Sequence, residues 1–262
     1  MKEFMISSSL QNIFGNGSFE RIMSLQGEVY RALEGRSTER LMIANQPYFI
    51  KKHHGVGWRE VIKNLLQCRL PVVSAKNEYI ALTKLAEWNI AVPEIAAYGH
   101  QGHNPAKVRS FIMTKELPKH ISLEDFCRHW PSCPPSFHFK KNLIKEIALI
   151  ARVLHTHGMN HRDFYICHFL LDVSNLINSN IKLYLIDLHR AQLRKYTPQR
   201  WVIKDLAGLY FSSKEVGLTK RDILRFIIEY HNKPLKKVFN KELSFWLKVK
   251  KRGDQLYRKH KK

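Results

Sequence analysis

Residues 161–172 read HRDFYICHFLLD, and residues 181–188 read IKLYLIDL. The first is a polar loop that places Asp163 near its start. The second is an apolar strand pattern that carries Asp187 near its end. A helix leads into the loop. Over Lys140 to His157, the residues Leu143, Ile144, Ile147, Ala148, Ala151 and Leu154 line one face, and Gly158 sits where a C′ glycine belongs. Upstream, EVYRALEGR (28–36), TERLMIANQ (38–46) and PYFIKKH (47–53) read as short strands broken by Gly35 and the Asn45-Gln46-Pro47 turn, hence an antiparallel meander. Trp58, Val61, Ile62, Leu65 and Leu66 then share a helical face, with Pro71 marking an end nearby. Asn77 is a plausible N-cap for a helix over Glu78 to Trp88, whose stripe is Ile80, Ala81, Leu85 and Trp88 and which Pro93 stops. IAAYGH (95–100) and KVRSFIMTKEL (107–117) read as two more strands around the loop GHQGHNPA (99–106).

The stretch 115–135 changes character. It holds Pro118, Pro131, Pro134 and Pro135 and one short helix that Ser122 would cap. This predicts a lobe boundary, with segment 1–24, an N-lobe over 25–116, a C-lobe over 117–247 and a basic tail over 248–262. Beyond the boundary the chain is mainly helical, LTKRDILRFIIEY (218–230) being the clearest case. The fold class is therefore α+β and bilobal, with an antiparallel-sheet N-lobe and a mainly helical C-lobe.

A strand lysine (Lys51), a helix-opening glutamate (Glu78), the loop Asp163 and the strand-end Asp187 follow one another in the order of the catalytic parts of a protein-kinase-like phosphotransferase. Each part has a physical reason. A strand lysine neutralises the α and β phosphates of ATP, and an acid holds its flexible stem. A carboxylate near the attacking hydroxyl orients it and accepts its proton. A second carboxylate supplies the hard oxygen donor that Mg²⁺ prefers. Alternation along the strand puts Phe49 and Lys51 on one face, opposite Tyr48, Ile50 and Lys52, and so selects Lys51 over its neighbour.

HRDFYICHFLLD, LYLIDLHRAQ, RWVIKDLAGLYFSS and GVGWREVIKNLLQCRLPVVSAKNE together resemble the bacterial lipopolysaccharide core heptose(I) kinase family, over about residues 25 to 230. The resemblance implies a protein-kinase-like fold and ATP-dependent phosphorylation of the inner-core heptose of lipopolysaccharide. It places that activity at the cytoplasmic face of the inner membrane, with the protein cytoplasmic and peripheral on that face. It implies ATP and Mg²⁺ as cofactors, Asp163 as catalytic carboxylate, Asp187 as metal ligand, and Lys51 with Glu78 as the phosphate-binding pair. The lipopolysaccharide core and lipid A would be the acceptor, and the anionic inner-membrane surface a partner.

Three features depart from the ordinary protein-kinase pattern. His168 stands five residues past Asp163, where a protein kinase has Asn. It is a candidate metal ligand, although imidazole suits softer metals than Mg²⁺, and it is equally a candidate loop anchor. Asp187-Leu188-His189 lacks the glycine of the corresponding kinase tripeptide, which argues against a flipping activation segment. There is no G-x-G-x-x-G, and Gly35 is the candidate for a phosphate-covering turn. Asp205 in KDLAGLY resembles the aspartate that opens the large C-lobe helix of kinases, where it would hold the catalytic loop. Arg162 would order that loop by pairing with a carboxylate, and His161 would pack and hydrogen-bond. His189 and Arg190 suit either phosphate approach or the surface. Cys127, His129, Cys133 and His138 match no common zinc spacing. Cys167 sits among apolar residues and reads as packing, not as a nucleophile.

Charge narrows the partners. The chain has 262 residues, with 44 Lys and Arg against 22 Asp and Glu, a formal charge of +22. That excess asks for an anionic partner: nucleic acid, an anionic membrane, a phosphorylated ligand or an acidic protein such as an acyl carrier protein. No helix-turn-helix, zinc-finger or RNA-binding signature is present, so no nucleic acid is expected. The last 15 residues hold eight Lys or Arg and one Asp, a segment suited to anionic lipid. The hydrophobic fraction of 44% supports a real core. No run of residues is long and apolar enough to span a membrane, and the start makes a poor signal peptide. The four scattered cysteines do not form a disulfide framework and are expected to be reduced. Three other functions fit parts of this pattern: a kinase-like enzyme for a protein or small soluble acceptor, a non-catalytic basic binding protein, and a dead kinase scaffold.

Overall fold

The computed structural model describes residues 2–15, 19–33, 35–66, 72–174 and 181–261. Cys68, Pro71 and Lys262 lie outside the described residues. The chain forms two compact units. The first contains Met1–Lys84, Pro93–Leu117 and Leu188–Arg190, and the second Leu85–Val92, Pro118–Asp187 and Ala191–Lys262.

The first unit is built on β1 (Lys2–Ile6), α1 (Ser8–Phe14), α2 (Phe19–Met23), β2 (Glu28–Leu33), β3 (Arg36–Ile43), β4 (Gln46–His53), α3 (Gly57–Leu66), α4 (Lys76–Glu87), β5 (Ile95–Gln101) and β6 (Arg109–Lys115). Among the described residues the strands form one antiparallel sheet in the order β1-β5-β6-β4-β3-β2. The predicted meander is its β2–β3–β4 half. Residues 1–24 do more than precede the sheet. β1 pairs with β5 from Lys2↔Gln101 to Ile6↔Ala97, and Leu10, Phe14, Phe19, Ile22 and Met23 pack on Ile50, Phe111 and Met113. Each such side chain withdrawn from water contributes roughly 1.5–3 kcal/mol, so this segment is part of the core.

Two local expectations need correction. Helix α4 begins at Lys76, so Asn77 lies inside its first turn and not at the cap. The entry is tied down instead by the Ser110 hydroxyl, which accepts from the Ala75 amide at 3.0 Å. In α3 only Val61 of the expected face is buried, while Trp58, Ile62 and Leu66 are exposed; the Leu65 side chain lies outside the described part.

The second unit contains β7 (His120–Ser122), α5 (Leu123–Phe126), α6 (Phe137–Thr156), β8 (Met159–Asn160), β9 (Phe169–Asp172), β10 (Leu183–Leu185), β11 (Gln192–Leu193), α7 (Gln199–Ser212), α8 (Lys220–His231) and α9 (Leu235–His260). Caps set the helix starts. Ser136 accepts from the Phe139 amide for α6, Ser122 accepts from the Asp125 amide for α5, and Thr219 with Asp222 forms a reciprocal capping box for α8. Gly158 ends α6 with φ +83, where a Cβ would meet the Arg194 carbonyl oxygen at 1.9 Å. Two small antiparallel ladders, β10-β9-β7 and β11-β8, hold the loop 161–168 between them. The last residues of HRDFYICHFLLD are thus a strand, which a loop reading of that stretch omits. Nor are the described residues of the basic tail, 248–261, loose. Residues 248–260 are the last turns of α9, which lies against α7 with Val249 and Gly253 buried. A Cβ on Gly253 would come within 2.5 Å of the Tyr210 ring, so glycine permits the close approach. Among the described residues no helix is long and apolar enough to cross a membrane.

Candidate active site

The residues that carry chemistry fall into two sets, one in each unit. In the first unit Lys51 leaves β4 on the face opposite the core, and its Nζ stands 2.7 Å from Oε1 of Glu78 on α4. Oε2 of Glu78 is buried without a hydrogen-bond partner among the described residues. Lys52 points the other way. It is buried against Glu39 at 2.8 Å and donates to the Leu25 carbonyl. Against the effect of burial, the hydrogen bonds from Lys52 and Ser37 hold the Glu39 carboxyl below its usual range. Strand alternation therefore assigns Lys51 the open partner and Lys52 a structural one.

Gly35 precedes β3 with φ +72, and a Cβ there would meet the Gly55 carbonyl oxygen at 2.3 Å. Its own carbonyl accepts from the His54 amide at 2.8 Å. Glycine is required here by the positive φ and by the backbone contact together. Beside it His53 is buried in the same register as Arg36. Burial, together with the charges of Arg36, His189 and Lys51, pushes its imidazole down to about 3, so His53 is neutral near pH 7. His189 and Arg190 lie on a half-buried helical turn of this unit.

In the second unit the loop after β8 is held from below by Asp205. This fully buried carboxylate accepts from the backbone amides of His161 (2.6 Å) and Arg162 (2.8 Å). Arg162 adopts φ +76, in the left-handed region that costs an L-residue roughly 1 kcal/mol or more. The two amide bonds to Asp205 hold it there. The Arg162 guanidinium lies 5.0 Å over the Trp201 ring, a contact that the carboxylate reading did not include. His161 is fully buried and bonds the Ile186 carbonyl through Nε2 at 3.0 Å; burial lowers its basicity, which suits packing. The Asp163 carbonyl accepts from the Tyr165 amide (3.0 Å) and from Nδ1 of His168 (2.6 Å), so His168 carries its proton on Nδ1. Nε2 of His168 stands 3.6 Å from Oδ2 of Asp187. Asp187 follows β10 with φ +60, and the Ile186 amide donates to the His168 carbonyl at 3.0 Å. Asp163, His168 and Asp187 therefore sit on two segments tied to each other by backbone and side-chain bonds.

As a donor set for Mg²⁺, Asp187 offers the hard oxygen the ion prefers, and the remaining positions suit phosphate oxygens and water. Among the described residues no group of three or more His, Cys, Asp or Glu side chains gathers around a metal position, which includes Cys127, His129, Cys133 and His138. Burial pushes the Cys167 thiol up to about 11 and Cys127 up to about 12, so neither is a nucleophile near neutral pH.

One feature of this unit is not legible in the sequence. A cavity of 440 Å³ with an almost wholly apolar lining opens among α6, α7, α8 and α9, bounded by Leu143, Ile147, Leu206, Ile227, Phe239 and Trp246. The apolar faces of these helices are readable one at a time. The gap left where they meet is not.

The model of the lipopolysaccharide kinase (Kdo/WaaP) family matches residues 20–230. The chain is 43% identical over 244 residues to the lipopolysaccharide core heptose(I) kinase WaaP of Pseudomonas aeruginosa, covering 93% of this chain and 91% of that protein. It is 46% identical over 229 residues to the protein of the same description from Escherichia coli, covering 87% and 86%. A solved structure titled "WaaP in complex with acyl carrier protein" superposes with a TM-score of 0.85 at 36% identity, over 97% of this chain and 99% of that one.

Proposed function

Since the chain belongs to the lipopolysaccharide kinase (Kdo/WaaP) family and is a sugar kinase, we propose that it phosphorylates the inner-core heptose I of lipopolysaccharide from ATP, with Asp163 as the catalytic carboxylate. The observation that carries this division of roles is the second-unit loop. Asp163 is fixed through its own carbonyl by His168 and, two residues upstream, by the Asp205 clamp. ATP supplies the γ-phosphoryl group, and a bound Mg²⁺ would supply neutralising charge to its phosphates. Lys51, its stem held by Glu78, binds the α and β phosphates. Gly35 keeps the turn before β3 close to Gly55 beside that lysine's strand. Asp163 orients the heptose hydroxyl and takes its proton. Asp187 would hold the metal, and His168 keeps the two carboxylate segments in register. Most of the rate gain in such a site comes from positioning and charge stabilisation.

The protein works at the membrane surface on the cytoplasmic side, where a lipid-anchored acceptor and a charge of +22 both favour it. It also binds an acidic acyl carrier protein. The charge and the solved complex of a relative with acyl carrier protein support this partner, and the apolar cavity suits the acyl chain. Native mass spectrometry with acylated and unacylated carrier protein tests both points: no complex with either form would refute the partner, and equal retention of the two would refute the role of the cavity.

The central test is transfer of labelled phosphate from ATP to lipopolysaccharide that lacks heptose phosphate. Transfer by wild type and its loss in Asp163→Asn is the expected result. Equal transfer by both proteins would overturn the role of Asp163. Transfer to a soluble sugar acceptor but not to lipopolysaccharide would overturn the acceptor.

A further inference from the structure

The stretch GWREVIKNLL forms α3, and its exposure is the reverse of what its periodicity suggests. Val56 before it and Val61 within it are buried. Trp58, Ile62 and Leu66, spaced at i, i+4 and i+8, are 53%, 51% and 81% exposed. At 3.6 residues per turn these three span an arc of roughly 80°. Arg59 and Lys63, both exposed, follow one position after Trp58 and Ile62 and so border the arc along one side. The helix enters through two left-handed glycines, Gly55 (φ +91) and Gly57 (φ +70), with the Gly57 amide bonded to the Ala106 carbonyl at 3.1 Å. The buried Val56 between them anchors the entry, and the stripe is left turned outward.

We propose that α3 is an in-plane membrane helix, whose Trp58, Ile62 and Leu66 enter the headgroup and acyl boundary of an anionic bilayer while Arg59 and Lys63 meet lipid phosphates. A short amphipathic helix with a Trp on its apolar face and basic residues beside it has the composition of an interfacial anchor. The charge complement is present at two scales, in the cations bordering the stripe and in the +22 of the whole chain. A protein–protein contact would also cover the stripe. The bilayer is favoured because the acceptor proposed above is lipid-anchored, and the inference rests on that reading for its biological sense.

The test is partition of the full chain onto vesicles of phosphatidylethanolamine with phosphatidylglycerol, by sedimentation, comparing wild type with a Trp58→Ser, Ile62→Ser, Leu66→Ser triple variant. All three side chains are exposed, so the variant is expected to fold, and thermal unfolding verifies it. Withdrawing one apolar side chain from water is worth roughly tenfold or more in a partition constant. Since Trp58 and Ile62 are only about half exposed, the three amount to roughly two full side chains, and the triple variant is expected to lose about 100-fold, with Arg59→Gln and Lys63→Gln a smaller, salt-dependent part. Wild-type binding that the triple variant retains in full would overturn the proposal, since adsorption would then be by charge alone. So would absence of wild-type binding, or a wild-type dimer that the triple variant converts to monomer without any vesicle effect. Phosphorylation of deacylated core oligosaccharide is a separate readout. If the heptose reading holds, the triple variant keeps that activity while losing it toward vesicle-borne acceptor. Failure of wild type on both acceptors would sink the heptose reading and leave the partition result to decide α3.

Discussion

Asp205 has no part in the proposed chemistry, yet the structure makes its substitution costly. Its two oxygens accept one backbone amide each, from His161 at 2.6 Å and Arg162 at 2.8 Å, in a fully buried setting. Hydrogen bonds to a charged partner are worth roughly 1.5–3 kcal/mol each, and a buried donor left unsatisfied costs about 1–3 kcal/mol. In Asp205→Asn one amide keeps a neutral acceptor and the other faces an NH₂ group. The expected loss is therefore about 2–4 kcal/mol, which for a chain of this size lowers Tm by roughly 5–15 °C. The second consequence concerns Arg162. Its φ of +76 is held by those amide bonds, so the loop relaxes and Asp163 shifts. A displacement on the order of 1 Å is worth about 100-fold in rate. Phosphate transfer should fall by that factor in kcat, with KM for ATP nearly unchanged, measured well below the variant's Tm. Asp222→Asn is the control. Asp222 is also buried and bonded, to Thr219, Lys140 and Arg225 at the start of α8, and its loss should lower Tm while leaving kcat intact. An Asp205→Asn protein with kcat within about twofold of wild type would refute the account of a clamped loop.

Three further outcomes follow from particular contacts. Lys52→Met leaves Glu39 buried and unpaired and should cost roughly 3–5 kcal/mol in urea unfolding, whereas Lys51→Met should cost much less stability but lower ATP turnover by about 100-fold; the reverse ranking would show that the strand register has been misassigned. His53 has its imidazole pushed down to about 3, below the unfolded value of 6.5, so between these values the unfolded chain binds a proton that the folded one does not, and stability is present above pH 6.5 and lost as pH falls. Wild type should therefore lose up to about 1–2 kcal/mol between pH 7 and pH 5 that His53→Gln does not lose, read from urea midpoints at the two pH values. Gly158→Ala should cost at least about 3 kcal/mol, since its Cβ would collide with the Arg194 carbonyl at a positive φ, while Gly57→Ala, at φ +70 in open space, should cost about 1 kcal/mol; calorimetry on the pair separates collision from conformational strain.

The parts of this molecule that were legible in the sequence share a cause. Helix α6 carries its apolar face and its closing Gly158 within one continuous stretch, although its Ser136 cap starts it at Phe137, three residues before the expected Lys140, and the β2–β3–β4 strands are joined by short turns, so local pattern and tertiary contact agree. Lys51 and Lys52 separate for the same reason, because alternation has only two faces and the core claims one. Where a residue's partner is far along the chain, the reading weakened. Asn77 has the right composition for a cap, but Ser110, more than thirty residues later, reaches the entry first and shifts the start of α4. Residues 248–260 look like a solvated basic tail until Tyr210 on α7 supplies the surface against which Gly253 lies. Arg162 has its ring partner in Trp201, which a search for carboxylates passes over.

Helix α3 sharpens the same point. Its periodicity states that Trp58, Val61, Ile62, Leu65 and Leu66 share a broad apolar face. Periodicity does not state which medium that face meets. Among the described side chains of that face Val61 is the buried one, and the other three are left for a second apolar phase. Trp58 is more than half exposed, so packing gives little reason for it to be aromatic. At a membrane boundary the same ring has one, because an indole places an apolar body and a single N–H donor at the depth where both are accommodated. The residue type, the exposure and the bordering cations thus agree on one environment. The vesicle partition of the triple variant is where that agreement meets measurement.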